Sequence, residues 1–269
     1  MARLAILTSG GLDSYIARYY AMEKGYDAVR SIYVNIGQPY YEKELAAINE
    51  FPFPVEIIDC KLLTPARGNM PTLDQQVIPG RNLLFATIAA SIGSELIWLC
   101  ALDGEMHQHV GSRDKTPEFF DFTSGLLTFT YKMFSERVVL ESPFWHLSKT
   151  EIVSWALAHN ISIDELKATS TCYHPTLERC GVCSACFKRW IAFTLNGATE
   201  KYAERPYESE YAKKTMMEIT EAGIKENYEH YNPKRIYETL SAIRTVRELE
   251  GPEWIALSKA TSALERENA

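Results

Sequence analysis

The sequence predicts an α/β fold with a doubly wound, mostly parallel sheet. Short apolar runs alternate with helical patterns through about the first 160 residues, and this alternation is typical of βαβ units. The predicted strands cover residues 4–8, 28–35, 55–59, 96–101 and 138–141, and the predicted helices cover residues 12–24, 41–50, 82–93, 117–134 and 148–159. Residues 60–81 and 102–116 show neither pattern, and long loops of this kind lie over the carboxyl ends of the strands, where ligands bind.

Past the predicted sheet, the chain continues into a purely helical region. Helical patterns cover residues 189–196, 209–222, 233–250 and 252–266. A chain of 269 residues is long enough for one main core and a smaller appendage. We therefore predict an α/β domain at residues 1–165, a four-cysteine segment at residues 166–192 and a helical extension at residues 193–269.

Composition and charge favour small-molecule chemistry. The chain carries 28 Lys and Arg against 35 Asp and Glu, a net charge of -7, whereas affinity for nucleic acids comes mainly from Lys and Arg. An apolar, strand-like run follows the N-terminus directly, and the most apolar stretch is broken by Ser, Gly and Glu. We predict a cytoplasmic protein without a membrane span, and a nucleic-acid partner is disfavoured.

The first turn of the chain predicts a phosphate-binding loop. A buried strand ends at Thr8, and the next residues read Ser9-Gly10-Gly11-Leu12-Asp13-Ser14. Two glycines let the backbone approach an anion, the helix N-terminus supplies unpaired amides, and the serine hydroxyls can donate hydrogen bonds. The chain has no Gly-Lys pair for a P-loop and no glycines two residues apart for a Rossmann fingerprint. The alternative is a strand–helix turn that binds no ligand.

Four of the six cysteines fall within fifteen residues and predict a metal site. They are Cys172, Cys180, Cys183 and Cys186. Four thiolates close a tetrahedral site around Zn²⁺, which would then fold the loop and leave no open position for catalysis. An iron–sulfur cluster is the rival, because four thiolates suit it equally well. A second metal at His107 and His109 is disfavoured, since a His-x-His pair in a polar loop is more often unliganded.

These features and several shorter segments resemble one protein family. Residues 9–14 are similar to the pyrophosphate loop of N-type ATP pyrophosphatases, which cleave ATP between its α and β phosphates. Residues 3–192 as a whole resemble the QueC family of 7-cyano-7-deazaguanine synthases. The other matching segments are Gly37-Gln38, Pro79-Gly80-Arg81-Asn82, Asp114 with Pro117-Glu118-Phe119, Leu147-Ser148-Lys149-Thr150-Glu151-Ile152, Thr171-Cys172-Tyr173 and Cys180-Gly181-Val182-Cys183-Ser184-Ala185-Cys186.

The resemblance implies an adenine nucleotide alpha hydrolase-like fold and an ATP-dependent carbon–nitrogen ligase of queuosine biosynthesis. In the implied reaction, 7-carboxy-7-deazaguanine and ammonia give 7-cyano-7-deazaguanine through two successive adenylations. The expected ligands are ATP with Mg²⁺, ammonia, a 7-deazapurine and one structural Zn²⁺ per chain. We also predict a homodimer.

The resemblance assigns roles to individual residues of this chain. ATP binding is expected at Thr8, Ser9, Gly10, Gly11, Leu12, Asp13 and Ser14. Catalytic roles are expected for Asp13, Ser14, Arg81 and Lys149, where Arg81 and Lys149 contact phosphates unless they are solvated surface charges. Substrate binding is expected at Asn82, Asp114 and Phe119.

The chain departs from the family pattern in three segments. The family usually has Phe-Asp-Tyr-Gly-Gln where this chain has Val34-Asn35-Ile36-Gly37-Gln38, and Asn-Gly follows the Cys-Tyr pair where this chain has His174-Pro175. Residues 103–111 also lack the usual Tyr-Pro. These changes leave ATP activation intact and bear on the product, so an enzyme that stops at the 7-amido-7-deazaguanine amide is one alternative.

Two alternatives belong to other functional classes. A tRNA-modifying enzyme of the thiolation type would keep the same loop, with its cysteines in a zinc ribbon or a cluster, but the acidic composition opposes it. A binding module without enzymatic activity would keep only the ATP site. Residues beyond 192 form a dimerisation arm, a cover for the site, or a packed helical appendage, which is the interpretation that we favour.

Overall fold

A computed structural model describes residues 3–60, 80–105, 113–175 and 179–267. These residues divide into two compact units that interleave along the chain. The first unit comprises Met1–Ala101, Val110–Trp145 and Ala168–Ser170, and the second comprises Leu102–His109, His146–Lys167 and Thr171–Ala269. Among the described helices, none combines the length and the apolar composition that a membrane crossing requires.

The first unit is built on a five-stranded sheet in which every pairing is parallel. The strands are β1 (Leu4–Leu7), β2 (Val29–Asn35), β3 (Val55–Asp59), β4 (Leu96–Trp98) and β5 (Val139–Glu141). Their order is β3-β2-β1-β4-β5, so the chain moves outward on one side of β1 and then on the other. The predicted parallel α/β fold is confirmed, and the reversal beside β1 is where such sheets bind ligands.

The chain contains ten α-helices among the described residues. Helices α1 to α4 belong to the first unit, and α5 and α7 to α10 belong to the second. The residues of α6 belong to the second unit, except for Ala168, which is assigned to the first. Their bounds are α1 (Leu12–Glu23), α2 (Tyr41–Asn49), α3 (Arg81–Ser91), α4 (Pro117–Thr130), α5 (Lys149–Ala158), α6 (Ile163–Ala168), α7 (Ser184–Leu195), α8 (Glu210–Lys225), α9 (Pro233–Arg244) and α10 (Gly251–Glu267). Two short 3₁₀ turns cover Arg113–Lys115 and Pro206–Glu208.

Side-chain caps explain where several helices begin. A capping box begins α5: Ser148 Oγ accepts from the Glu151 amide at 3.1 Å, and Glu151 accepts from the Ser148 amide at 2.7 Å. The same reciprocal pair joins Ser162 and Glu165 and begins α6, a helix that we did not predict. The Cys183 sulfur caps α7, which therefore begins five residues before the predicted start.

Three elements were predicted to extend further along the chain than they do. The strand predicted to residue 101 ends at Trp98, the helix predicted to residue 134 ends at Thr130, and the helix predicted to residue 250 ends at Arg244. In each case apolar residues continue beyond the element: some, such as Leu99 and Leu249, are buried in the following turn, whereas Met133 and Phe134 are exposed. Hydrophobic periodicity therefore located the elements but overran their ends.

Each unit has its own core. In the first, side chains of all five strands except β3 contribute buried residues, and α3 presents three small ones, Ala86, Ala89 and Ala90, to the sheet. In the second, α7 packs with the extension helices through residues such as Phe187, Met216, Ile236, Leu240 and Leu257. The aromatic residues of the extension include partly buried members of this core, namely Tyr202, Tyr207, Tyr211, Tyr228 and Tyr231.

Candidate active site and cysteine cluster

The predicted phosphate loop joins β1 to α1 at the carboxyl end of the strand where the sheet order reverses. Thr8 is buried, and its amide donates to the Ile32 carbonyl oxygen at 2.8 Å, which extends the β1–β2 pairing by one residue. Gly11 is the N-cap of α1, and no side chain accepts from the helix amides. The positive end of α1 is thus available to an anion at the mouth of the loop.

Glycine is required at position 10 by both conformation and space. Gly10 has a φ of 69°, and a Cβ atom there would lie 2.8 Å from the Glu44 carbonyl oxygen in α2. The Gly10 carbonyl oxygen accepts from the Ser170 amide at 2.8 Å. A Cβ atom on Gly11 would lie 3.3 Å from the Ser170 carbonyl oxygen. The loop is therefore packed closely between α2 and residues 168–170.

Ser14 supports the loop from inside in this conformation. Its side chain is 4% exposed, and its hydroxyl donates to the Gly11 carbonyl oxygen at 3.1 Å and accepts from the Ser9 amide at 3.4 Å. Ser9 is exposed and Asp13 is half-buried, so these two side chains reach the solvent at the loop. A phosphate contact from Ser14 requires its hydroxyl to turn away from Gly11.

A buried polar cluster behind the loop was not anticipated from the sequence. The Glu44 carboxylate accepts from Gln38 Nε2 at 2.7 Å and from the Tyr33 hydroxyl at 2.8 Å, and Gln38 also contacts that hydroxyl. Burial raises the pKa of Glu44 to about 7, against the opposing effect of these hydrogen bonds and of Arg81. Burial and the neighbouring Glu44 raise the pKa of Tyr33 as well.

The Gly37-Gln38 segment is explained by this cluster. Gln38 is 7% exposed and accepts from the Ile36 amide at 3.1 Å, while Gly37 has a φ of 77°. Gln38 therefore fastens the turn after β2 to α2, whose Glu44 backbone touches Gly10. The segment was a usable signal for the cluster, although nothing in the sequence marked Tyr33 or Glu44 as its partners.

Asn35, where the family usually has aspartate, suits its neighbour in β3. Its side-chain nitrogen donates to the Asp59 carboxylate at 2.5 Å, and its side-chain oxygen accepts from the Gly37 amide at 2.9 Å. Asn35 is 2% exposed. A carboxylate at position 35 would face Asp59 with like charge, so the amide is the complementary group here.

Of the four other predicted site residues of the first unit, the structure brings two, Asn82 and Asp114, into contact with each other. Arg81 begins α3, and its Nε atom is buried without a hydrogen-bond partner among the described residues. Asn82 is 3% exposed and donates to the Asp114 carbonyl oxygen at 3.4 Å, so these two predicted substrate residues do meet. Phe119 is half-buried and contacts Phe120 edge-on with ring centroids 5.9 Å apart, against the core.

Two other predictions fall elsewhere. Lys149 is the first residue of α5 in the second unit, where it lines a small cavity. His107 and His109 lie outside the described residues, as does Pro79.

The four predicted metal-binding cysteines converge in the second unit. Their sulfur atoms all lie within 4.8 Å of one another, and those of Cys180 and Cys186 are 3.9 Å apart. Gly181 has a φ of 80°, and a Cβ atom there would lie 1.9 Å from the Glu204 carbonyl oxygen, so only glycine fits between these ligands. The Cys172 sulfur accepts from the amides of His174 and Cys180, each at 3.4 Å.

The thiols of the cluster influence one another strongly. Hydrogen bonds from the Cys183 and Cys186 thiols lower the pKa of Cys172, whereas burial raises the pKa of Cys180 to about 11. Cys172 and Cys186 are both buried. Four sulfur atoms at this spacing can bind a single metal ion.

A buried arginine that we did not predict from the sequence anchors the cluster. Arg189 in α7 is fully buried and forms a two-pronged ion pair with Glu200, at 2.7 and 2.8 Å. It also donates to Thr171 Oγ1 at 2.8 Å and to the Leu166 carbonyl oxygen at 2.7 Å. Because Thr171 precedes Cys172, this ion pair fixes one end of the loop that carries the cysteines. Bidentate buried pairs of this kind are strong only when every partner is satisfied, as here.

Taken residue by residue, the first unit offers a cradle that suits an anion, and the second offers a four-cysteine cluster that could bind a metal ion. The cradle has two glycines, an uncapped helix N-terminus and polar side chains at its mouth. Groups of this kind can position an anionic ligand and stabilise its charge.

Comparison with known proteins identifies the family. The profile of the queuosine biosynthesis protein QueC matches residues 3–197. Curated relatives named 7-cyano-7-deazaguanine synthase include one from Nitratiruptor sp., which is 26% identical over 77% of this chain and 99% of its own length. Another, from Thermoplasma volcanium, is 27% identical over 81% of this chain and 96% of its own length.

One solved structure has a low similarity to this chain in both sequence and fold. It is the U34-tRNA thiolase NcsA from Methanococcus maripaludis with its [4Fe-4S] cluster, at 12% identity and a TM-score of 0.39, covering 93% of this chain and 74% of that one. This likeness carries no weight for function. The profile match, by contrast, spans the phosphate loop, the Asn82–Asp114 contact and all four cysteines. The chain belongs to the QueC family of queuosine biosynthesis proteins.

Proposed function

We propose that the chain is an ATP-dependent 7-cyano-7-deazaguanine synthase that uses 7-carboxy-7-deazaguanine, ammonia and ATP. The observation that carries this proposal is the phosphate loop at the switch point of the sheet, held between α2 and residues 168–170 in a member of the QueC family. The loop lacks the Gly-Lys-Ser/Thr lysine that would draw out a γ-phosphate. Attack on the α-phosphorus, with pyrophosphate as the leaving group, therefore fits best.

The proposed reaction activates the same carbon twice. A carboxylate oxygen of the substrate attacks the α-phosphorus of ATP, and pyrophosphate leaves. Ammonia then attacks the acyl carbon, loses a proton and expels AMP, which gives the amide. In the second round, the amide oxygen attacks a second ATP and pyrophosphate leaves. Loss of the remaining two nitrogen-bound protons then accompanies departure of AMP and forms the nitrile.

The chain's own residues act by positioning and by charge. The Gly10 and Gly11 backbone and the start of α1 would hold the pyrophosphate portion, with Asp13 at the mouth of the loop to meet the Mg²⁺ that accompanies ATP. Arg81, whose Nε atom is buried and has no hydrogen-bond partner among the described residues, and Lys149 are the proposed phosphate contacts. Asn82, Asp114 and Phe119 are the proposed deazapurine contacts.

One reaction mixture tests the proposal. Purified protein is incubated with ATP, an ammonium salt and 7-carboxy-7-deazaguanine, and the nucleotides and deazapurines are quantified by mass spectrometry. We expect two AMP per nitrile and no ADP. One AMP per amide, with no nitrile, identifies the alternative in which the enzyme stops at the amide. ADP formed in step with product contradicts adenylation.

For the cysteine cluster we propose one structural Zn²⁺. Four sulfurs at 2.3 Å from one ion in a tetrahedron lie roughly 3.8 Å apart, and the Cys180–Cys186 separation is 3.9 Å with all four within 4.8 Å. A [4Fe–4S] cluster binds each thiolate to a different iron, which spreads the sulfur atoms further apart. Four protein ligands would leave no open coordination position, so this ion would hold the loop together.

We further propose that two copies of the chain associate through an apolar stripe on α4. Its residues are spaced along one face of the helix and the turn after it, and they are Phe122, Leu126, Phe129, Met133 and Phe134, which are between 52% and 92% exposed. Large side chains offer ~150–200 Å² each, so the stripe presents about 600–800 Å² of apolar surface. A stable interface buries ~800 Å² per partner.

A second copy is the occupant that suits this surface. The stripe carries no charge, so the same surface on a copy related by two-fold symmetry is complementary to it. A patch of this size on a monomer is unusual. The homodimer is therefore proposed with α4 packed against α4 of the other copy.

A further inference from the structure

A small cavity of about 60 Å³ lies within the second unit. One side is lined by residues of the family-matched part, among them Ser148, Thr150 and Phe187, and the other by residues of the extension, among them Glu238 and Thr239. The family match ends at residue 197, so the extension completes this cavity. Its volume corresponds to a few water-sized molecules, which restricts it to a very small ligand.

In the cavity wall, a polar group of the family-matched residues contacts a polar group of the extension. The Ser148 hydroxyl hydrogen-bonds the Glu238 carboxyl. The Thr150 hydroxyl oxygen is buried and has no hydrogen-bond partner of good geometry among the described residues, although it is near enough to stabilise the ionised Glu238. Its hydroxyl faces Glu238, which leaves the lone pairs of its oxygen to accept a hydrogen bond from a small polar molecule in the cavity.

The charged groups around the cavity are largely paired. Lys234 lies 3.0 Å from Glu151 and 3.5 Å from Asp103, and Lys188 lies 3.8 Å from Glu105. The carboxylates and cations that line it are Asp103, Glu105, Glu238, Lys149, Lys188, Lys234 and Arg235. The lining therefore contains three carboxylates and four cationic side chains, and this balance disfavours a bound cation. The cationic side chains also favour the neutral form of any amine that enters the cavity.

Glu238 is suited to remove a proton near neutral pH. Burial raises the pKa of Glu238 to about 7, helped by the negative charge of Glu151 and opposed by the hydroxyls of Ser148 and Thr150 and by Lys234. A base of this strength takes up and releases a proton readily at pH 7. Glu44 has a similar pKa, but hydrogen bonds from Gln38 and Tyr33 already occupy its carboxylate.

From this arrangement we infer that the cavity binds ammonia, and that Glu238 deprotonates the ammonium ion from which it comes. The inference rests on the proposed function, which consumes ammonia as its nitrogen source. Ammonium gives one proton to the Glu238 carboxylate, which leaves neutral ammonia and a neutral carboxylic acid. Thr150 Oγ1 accepts an N–H of the ammonia, and the apolar walls Phe187 and Ile191 favour the neutral molecule. The extension thereby supplies the base of the nitrogen-donor site.

Steady-state kinetics with Glu238→Gln tests the inference. The substitution keeps the size of the side chain and can keep the Ser148 contact, but it removes the base. We expect the KM for ammonium to rise at least tenfold, while ATP–pyrophosphate exchange measured with 7-carboxy-7-deazaguanine and without ammonium stays at the wild-type rate. The matched control is Glu221→Gln, an exposed carboxylate of α8 paired with Lys225, which should leave both measurements unchanged. An unchanged KM for ammonium in Glu238→Gln overturns the inference.

A binding measurement separates this inference from the proposed reaction. Because a ligand that binds the folded state stabilises it, ammonium chloride should raise the thermal unfolding midpoint of the wild type above that in sodium chloride of equal ionic strength. The rise should be absent in Glu238→Gln and in Thr150→Val. Equal midpoints in the wild type, or an equal rise with potassium chloride, overturn the ammonia site. Absence of ATP–pyrophosphate exchange in the wild type counts instead against the adenylation proposal.

Discussion

The carbonyl oxygen of Glu44 lies where only a glycine at position 10 leaves room for it. A Cβ atom on Gly10 would stand 2.8 Å from that oxygen, and Gly10 also has a φ of 69°. The first turn of α2 thereby forms one wall of the phosphate loop. Because Glu44 is also the buried centre of the Tyr33–Gln38 cluster, the position of the loop depends on residues that touch no phosphate.

We predict that Gly10→Ala reduces AMP formation at least about tenfold and destabilises the fold by about 1–3 kcal/mol, because both the left-handed backbone and the contact with Glu44 must give way. AMP release and thermal unfolding measure the two effects. The control is Gly25→Ala, where φ is 81° but nothing lies within 4 Å of the added Cβ atom. It has the strain without the clash and should keep its turnover. Equal loss of turnover in both variants would mean that the contact is irrelevant.

Asp13→Ala and Ser14→Ala should each lower AMP formation at least about tenfold while the fold survives. Lost contacts to a charged ligand cost about 1.5–3 kcal/mol, and Ser14 also braces Ser9 and Gly11. Turnover and circular dichroism are measured together. Asp27→Ala, an exposed carboxylate beyond the end of α1, is the control. Wild-type turnover in either folded loop variant would refute the assignment of the loop.

The cysteine cluster should contain one zinc per chain. Metal analysis of anaerobically purified protein should find zinc near stoichiometry and no visible iron–sulfur absorbance. Cys183→Ser should lose the zinc and unfold more readily, since structural zinc contributes directly to folding. Cys100→Ser, outside the cluster, should retain it. Several irons per chain and a brown colour would contradict the zinc proposal.

Local signals in the sequence predicted the elements and motifs that local physics determines. The strand–helix alternation, the Gly10-Gly11 turn and the close spacing of the four cysteines are all short-range patterns. The Ser162–Glu165 capping box is also a local pattern, and it was overlooked. Contacts between distant residues had no such signal: Glu200 pairs with Arg189 through a fully buried charge, and Glu44 reaches Gly10 from another helix. In neither pair does the sequence around one residue indicate which distant residue it contacts.

Disruption of the apolar stripe should convert the protein to a monomer. Phe129→Glu places a charge at the middle of the α4 face, where Phe129 is 82% exposed, and a buried unpaired charge is costly at an interface. Sedimentation should give twice the chain mass of 30.6 kDa for the wild type and the chain mass for the variant. Met217→Glu, at an isolated exposed methionine of α8, should stay dimeric. A monomeric wild type at micromolar concentration would contradict the proposal.

The Glu44 carboxyl should make the protein less stable as the pH rises from about 4.5 to about 7. Burial raises the pKa of Glu44 from 4.5 to about 7, so the folded state holds a proton that the unfolded state has lost over this window. The free energy of unfolding therefore decreases as the pH rises through this window, by up to about 3 kcal/mol. Above pH 7, Glu44 makes no further contribution to the pH dependence.

Glu44→Gln removes that titration and keeps a side-chain oxygen for Tyr33 or Gln38. Relative to the wild type, the variant should gain stability as the pH rises from 5 to 8, as measured by urea unfolding at each pH. Subtracting the two curves cancels the other carboxyls, including Glu238, whose pKa is also raised to about 7. Glu23→Gln, at the exposed end of α1, serves as the control and should follow the wild-type curve. Parallel curves for wild type and Glu44→Gln would mean that Glu44 is ionised throughout, held by Arg81 and its two hydrogen bonds.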